Sequence, residues 1–323
     1  MSQGVLIVGL GQIGMGYDLD LDPQQYVYTH ARAFSQHPGF HLLAAVDPDA
    51  GRRQVFERVF KAPAHATLGA ALGQHAPDLV VIATPTAQHR DALQQVLEHS
   101  SPAAVLCEKP LSHDVEEGHW MVSACAQKGV KLYVNYMRRS TPGFTRVKRL
   151  IDSGTIKTPV KGVVWYSKGL VHNGSHFVNL MEYWLGSVQG ASVINSGRLW
   201  DGHDPEPDVC IRFEKGEIVF LAGWEDKFSY YALELLSPNG HLRCDQGEAG
   251  LVWTNYPKTD MSIDGVSGHT PDEVIDSGMA HYQMHVVNQL ALDLSGASGS
   301  ICTGADAVST LDSIKLVTGQ IEG

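Results

Sequence analysis

The stretch Val5-Leu6-Ile7-Val8-Gly9-Leu10-Gly11-Gln12-Ile13-Gly14 decides the fold. Four branched apolar residues in a row read as a strand buried on both faces. The glycines that follow stand in the G-x-G-x-x-G spacing. There the first glycine makes a tight turn, the second lets backbone approach a pyrophosphate, and the third allows close helix-to-strand packing. The N-terminus of the helix behind such a turn adds N–H donors and a favourable dipole for an anion. A glycine-rich turn by itself carries little, but one placed directly after a strand points to a parallel α/β sheet that holds a dinucleotide.

Working outward, the first half repeats the pattern. Val5 to Val8, His41 to Val46, Leu79 to Ala83, Ala103 to Leu106 and Lys131 to Val134 read as strands, and Gln54 to Phe60, Gln88 to His99 and Val115 to Lys128 carry apolar residues at helical spacing. Strand alternating with helix implies strand-helix-strand units and a parallel sheet.

An acidic residue that binds the adenosine ribose is expected about 20 residues after the glycines. Asp47 ends the second strand, yet lies 33 residues after Gly14. Gly16 to Tyr28 reads as a loop inserted into the first helix, which resumes at Thr29, and its removal restores the spacing. The acid repels a 2′-phosphate, so NAD is favoured over NADP, although Arg52 and Arg53 nearby could accommodate the phosphate. Asp18, Asp20 and Asp22 resemble the start of a calcium loop, but Pro23 and Thr29 stand where that loop needs glycine and glutamate. No metal site is expected, and the insertion reads as a solvated loop.

After residue 137 the texture changes. Val160 to Tyr166, Val188 to Ile194, Val209 to Phe213, Ile218 to Trp224 and Tyr231 to Ser237 follow one another with turn signals at Glu214-Lys215-Gly216 and Pro238-Asn239-Gly240 and few helices between. The segment from about Asp272 to Leu294 and the residues from Ala305 read as helical. The expectation is a doubly wound Rossmann α/β domain over residues 1–137. A substrate-binding and oligomerisation domain over 138–323 follows, α+β with a large open-faced, mostly antiparallel sheet, whose C-terminal helix can pack back on the first domain. Five of the six tryptophans lie after residue 150, which suits sugar rings or, more plainly, an interface in a homodimer or homotetramer.

Composition narrows the function. The 323 residues carry 24 Lys plus Arg against 35 Asp plus Glu, a net charge of -11 without a basic block, which argues against nucleic acid. Hydrophobic residues at 43% supply a packed core. The longest apolar run is far short of the roughly 20 residues that cross a bilayer. With neither an export signal nor a membrane partner expected, the cytoplasm is the default location. The five scattered cysteines (Cys107, Cys125, Cys210, Cys244, Cys302) read as reduced structural thiols.

The ends of the later strands carry Ala83-Thr84-Pro85-Thr86 with His89 five residues after Thr84, then Glu108-Lys109-Pro110, then Asn135-Tyr136-Met137-Arg138-Arg139. Together with the glycine loop this set resembles the glucose-fructose oxidoreductase/inositol dehydrogenase/MocA family over essentially the whole chain. The resemblance implies a bound nicotinamide cofactor and redox chemistry on sugars, inositols or related polyols. Beside Gly9, Gly11, Gly14 and Asp47 it puts Gln12, Ile13, Thr84, Pro85, His89, Glu108 and Asn135 at the cofactor, with His89 alternatively a helix-surface histidine. Hydride transfer to or from a secondary alcohol needs positive charge at the developing alkoxide. Lys109, at the carboxyl end of a central strand, can supply it, with Glu108 pairing with or positioning it.

Proton transfer needs a second group. Ser175 is expected to cap a helix running to about Leu185, with Gly186 as its stop and Phe177, Leu180, Met181 and Trp184 as its apolar stripe. His176 then lies in the first turn, where the helix dipole disfavours imidazolium, and it falls on the family's catalytic histidine. The family's aspartates four residues before and three after that histidine are here His172 and Asn179. The sequence resembles, at this point, a branch associated with modified or nucleotide-linked sugars. His172 and Asn173 join Lys109, Arg138 and His176 as substrate-binding candidates, and the acidic loop Asp201 to Asp208 is another source of the missing carboxylate. Two other functions fit the same apparatus: a redox-assisted lyase or glycosidase that recycles NAD, and a regulator that binds NAD and sugar without turnover.

Overall fold

The computed structural model describes residues 2–225, 227–245, 250–256 and 272–321. It divides into two compact units: Met1–Ser140 with Met279–Ser309, and Thr141–Gly278 with Thr310–Gly323.

In the first unit, β1 (Gln3–Val8), β2 (Phe40–Val46), β3 (Ala64–His65), β4 (Leu79–Ile82), β5 (Ala104–Cys107) and β6 (Lys131–Val134) form one parallel sheet in the order β3-β2-β1-β4-β5-β6. This is the doubly wound order, in which strand succession reverses between β1 and β4 and ligands bind beyond the carboxyl ends of the strands. The continuous apolar runs explain it, since β1, β4 and β5 are buried on both faces. Helices α1 (His30–Gln36), α2 (Ala50–Phe60), α3 (Leu68–Leu72), α4 (His89–His99) and α5 (Val115–Lys128) join the strands. Asp49, Thr67 and Asp114 cap α2, α3 and α5 by accepting the N–H of Arg52, Ala70 and Glu117.

The inserted segment lies where the spacing puts it. His30 N donates to Ile13 O at 3.1 Å and Ala31 N to Gly14 O at 3.0 Å. These are the bonds of a helix that passes from residue 16 to residue 30 as if to residue 17, so thirteen residues are extruded, Tyr17 to Thr29, one position on from the expected Gly16 to Tyr28. The segment is not simply solvated, however. Asp18 is 1% exposed and accepts Tyr28 N at 2.7 Å, Thr29 N at 2.9 Å and Thr29 Oγ1 at 2.8 Å, while Arg32 Nε lies 3.5 Å from its carboxylate. A buried charge needs such partners, and here they pin both ends of the loop to α1.

The second unit holds α6 (Pro142–Asp152), α7 (Ser175–Leu185) and an eight-stranded sheet built from β7 (Val160–Tyr166), β8 (Val188–Trp200), β9 (Asp204–Phe213), β10 (Gly216–Ala222), β11 (Ala232–Ser237), β12 (Gly240–Cys244), β13 (Leu251–Asn255) and β14 (Glu273–Ile275), in the order β14-β13-β12-β11-β7-β10-β9-β8. Only β7 and β10 run parallel, so the sheet is mostly antiparallel. Two-residue turns at Glu214-Lys215 and Pro238-Asn239 close hairpins. Along β7, Val160, Val164 and Tyr166 are buried while Trp165 on the other face is 40% exposed. The anticipated stripe of α7, Phe177, Leu180, Met181 and Trp184, is buried. Trp184 and Trp253 are therefore core residues, whereas Trp165 and Trp224 are exposed.

One sequence expectation changes here. Glu273–Ile275 is a strand rather than the start of a helix, because its β-branched residues add to the edge of β13. Helix α8 (Tyr282–Leu294) packs on the first unit, where Val286, Val287 and Leu290 join Val27, Phe34 and Phe40 in one core, and residues 304–309 of the last helix belong to that unit as well. Burying each such side chain contributes about 1.5–3 kcal/mol. The last helix, α9 (Gly304–Thr318), is tied through Thr310 to Asn179 and Glu182 of α7.

Candidate functional site

Within the first unit the predicted residues gather along one edge. Gly9, Asp47, Thr84, Glu108 and Asn135 each stand one or two residues past the end of β1, β2, β4, β5 and β6. The ladder continues through Gly9 N to Val46 O, Ala83 N to Val8 O, Glu108 N to Ile82 O and Asn135 N to Cys107 O, so their backbone is held as firmly as the strands.

The three glycines differ in what demands them. A Cβ on Gly9, whose φ is +100°, would stand 2.6 Å from Ala83 O, and one on Gly14 would stand 2.1 Å from Gly9 O. Both are required by the chain's own packing. A Cβ on Gly11 would meet nothing within 4 Å. The space beside Gly11 is what a pyrophosphate would fill. Asp47 is 3% exposed; its Oδ2 accepts Leu10 N at 2.8 Å and its Oδ1 accepts Asp49 N at 2.8 Å. The acid thus fastens the glycine loop to β2, while Arg52 Nη1 lies 3.5 Å from Oδ2. Thr84 Oγ1 and Asn135 Oδ1 are buried without a hydrogen-bond partner among the described residues. Open space at Gly11 and two unmatched polar atoms on the same sheet edge fit a dinucleotide.

Glu108 is 8% exposed. Burial alone would raise its carboxyl, but hydrogen bonds from His30 and Asn135 and the charge on Lys109 outweigh that and hold it below the usual carboxylate value. Its Oε2 accepts the backbone N–H of Lys109 at 3.3 Å. His89 is not on the helix surface. It is fully buried, with Nε2 2.9 Å from Thr84 O and Nδ1 3.1 Å from Leu111 O, and burial lowers its pKa. It braces the Thr84 and Lys109 turns from below. Arg138 is 5% exposed, and its neighbour Arg139 lies 3.1 Å from Asp306.

In the second unit the structure revises the setting of His176. Ser175 does not cap a helix; its backbone is already helical, and its hydroxyl donates to His172 O at 3.4 Å. A π-helical turn over Gly169–Gly174 precedes α7, starting from Lys168 in the left-handed region. His176 is therefore well inside a continuous helical run, and the first-turn dipole argument does not apply. Carboxylates at the start of β9 cause this. Asp204 accepts Val171 N at 3.0 Å and His172 N at 2.8 Å, and Glu206 accepts Lys168 N at 2.8 Å and Gly169 N at 3.2 Å. They cap the helix one turn earlier than Ser175 could. The expected acidic loop Asp201 to Asp208 is thus a strand from Asp204 on, and its carboxylates are held by backbone N–H groups and, at Glu206, also by Arg198 Nε at 2.7 Å. His172 stacks on Trp200 with centroids 5.0 Å apart, Asn173 is half-buried in the π turn, and Asn179 Nδ2 donates to Thr310 Oγ1 at 2.9 Å. π turns are frequent at functional sites.

Sequence reasoning missed His30 and Gln283, which complete the Glu108 and Asn135 cluster, and gave Asp204 and Glu206 no structural role. A histidine at the point where the interrupted helix resumes was a usable signal for the first; Gln283 had none.

Comparison with known proteins agrees with this geometry. A family model described as an oxidoreductase family with an NAD-binding Rossmann fold matches residues 4–136. The chain is similar to inositol 2-dehydrogenase 1 of Mycolicibacterium vanbaalenii, 42% identical over 91 residues, 28% of this chain and 26% of that one. It is also similar to the scyllo-inositol 2-dehydrogenase (NAD(+)) of Bacillus subtilis, 28% identical over 222 residues, 60% of this chain and 56% of that one. The matches thus span from a quarter to just over half of these relatives' length. Among solved structures, the WlbA dehydrogenase of Bordetella pertussis in complex with NADH and UDP-GlcNAcA has a TM-score of 0.77 at 17% identity, covering 99% of this chain and 96% of that one, a likeness of fold.

Proposed function

This chain belongs, through residues 4–136, to the glucose-fructose oxidoreductase/inositol dehydrogenase/MocA family of oxidoreductases, and from that premise we propose that it is an NAD(H)-dependent oxidoreductase of a sugar, sugar derivative or nucleotide sugar. The observation that carries the reading is the edge of the first sheet, where space at Gly11, Asp47, the unmatched Thr84 and Asn135 atoms and Lys109 follow consecutive strand ends. The glycine loop would hold the pyrophosphate, Asp47 the adenosine ribose, and Thr84, Pro85 and Asn135 the nicotinamide half. NAD(H), when bound, supplies a hydride acceptor or donor at nicotinamide C4.

The remaining work falls to side chains. The ammonium of Lys109 offsets negative charge that develops on the substrate oxygen, a contribution of several kcal/mol in a site sheltered from water. Glu108 remains anionic beside it. His176 takes the alcohol proton during oxidation and returns it during reduction. Asp47 favours NAD over NADP, because a 2′-phosphate would meet its carboxylate and Arg52 already lies against that carboxylate. For the substrate, His172 stacked on Trp200 provides an aromatic surface suited to a sugar ring, and the inositols and the UDP-sugar in the relatives' names are the compounds to test first.

The test is label transfer. The protein is incubated with NADH deuterated at C4 and a panel of keto-inositols, keto-sugars and UDP-keto-sugars. Deuterium on the carbinol carbon of a product is the expected result. A protein that binds NADH tightly yet passes no label to any of them would contradict the reading.

A further inference from the structure

Four buried polar side chains from four elements close a ring next to Lys109. His30 opens α1, Glu108 follows β5, Asn135 follows β6 and Gln283 lies in α8; they are 0, 8, 4 and 0% exposed. Glu108 Oε1 lies 2.7 Å from His30 Nε2 and 2.6 Å from Asn135 Nδ2. Asn135 Nδ2 also lies 3.0 Å from Gln283 Oε1, and Gln283 Nε2 lies 2.9 Å from His30 Nδ1.

The direction of the ring is forced. An ionised carboxylate only accepts, so Asn135 must present its Nδ2 and His30 an Nε2–H. Asn135 Nδ2 donates to Gln283 as well, so Gln283 turns Oε1 toward it and Nε2 toward His30. His30 then has to offer a lone pair at Nδ1. A second proton on His30 would set two N–H groups face to face, and turning Gln283 over would only move that conflict to Asn135. The ring therefore keeps His30 neutral with its proton on Nε2. It also uses the Asn135 amide nitrogen twice and leaves Asn135 Oδ1 buried and unmatched.

We propose that His30 and Gln283 are positioning residues of the cofactor site, which fix the Asn135 amide so that Oδ1 accepts from a hydroxyl or amide N–H of the nicotinamide half, and which hold Glu108 as the anion beside Lys109. The proposal rests on the NAD(H) reading above. The charged partner of His30 is Glu108, on which Lys109 acts, and Glu108 acts in turn on Tyr282 of α8, as do Tyr17, Asp18 and Tyr28. Phe34, on its own helix, stacks on the imidazole.

Two variants test it, Gln283→Leu and Gln283→Glu, read by NADH titration and by long-range proton-nitrogen correlation spectra of the imidazole. In the parent protein His30 should show the Nε2–H form. Q283L removes the donor that fixes this tautomer, so affinity should fall about tenfold and the Nδ1–H form should become populated. Q283E accepts from both neighbours, so His30 should become imidazolium at neutral pH. An Nδ1–H or imidazolium form in the parent, or Q283L binding as tightly as the parent with the tautomer unchanged, would overturn the ring's role alone. A parent protein that binds no NADH would overturn the cofactor reading itself.

Discussion

The glycine turn of the first unit and the π turn of the second both lead into helices, and they treat the start of a helix in opposite ways. Behind β1 the chain leaves an opening at Gly11 with nothing within 4 Å of an added Cβ. Before α7 the chain fills the equivalent place with its own anions: Asp204 and Glu206 take four backbone donors, from Lys168, Gly169, Val171 and His172. A helix start attracts negative charge in either case. One is built to receive that charge from a ligand and the other is already satisfied, so the π turn and the start of α7 can only present side chains, His172 and His176 among them.

The largest effect expected is on chemistry at the open site. Lys109→Met should lower kcat by about a thousandfold or more while leaving NADH affinity close to that of the parent, measured by steady-state kinetics and titration. Retention of most of kcat would remove Lys109 from the mechanism. Next comes the filled site. Gly169 has φ +81° and a Cβ there would stand 2.0 Å from Asp204 Oδ2, so Gly169→Ala should destabilise the second unit by about 2–4 kcal/mol in urea unfolding. An unchanged midpoint would show that the carboxylate clamp is slack. The smallest effect concerns pH. Because the folded state lowers the Glu108 pKa, its contribution to stability is present above the unfolded value of about 4.3 and is lost as pH falls through the folded one. Glu108→Gln should flatten that acid limb without adding a slope above neutrality.

How much of this could be read from the chain alone follows the same division. Buried parallel strands declare themselves as apolar runs, as at β4 and β5, and both β6 and the half-exposed β7 of the second sheet lie at the expected residues. The extruded segment was legible because removing it restores a known spacing, and the bonds from His30 to Ile13 and from Ala31 to Gly14 show where the helix closes over it. The short β3 and α3 went unseen, being too brief for periodicity, and α6 was overlooked although Pro142 at its first position marks such a start. The ring was out of reach for a different reason. Its joints link residues 78, 148 and 253 positions apart, and a buried glutamine has no local pattern that sets it apart from a surface one. The π turn was hidden likewise, since its caps come from 32 to 38 residues downstream.

The claim on which the rest depends is that the opening at Gly11 exists for a dinucleotide. Gly11→Ala tests it directly, because the added methyl group meets nothing in the protein. Calorimetric titration with NADH, run beside thermal unfolding of the ligand-free protein, should show an unchanged midpoint and affinity weakened by a hundredfold or more, about 2.7 kcal/mol or above. An alanine variant that binds NADH as tightly as the parent would contradict the account.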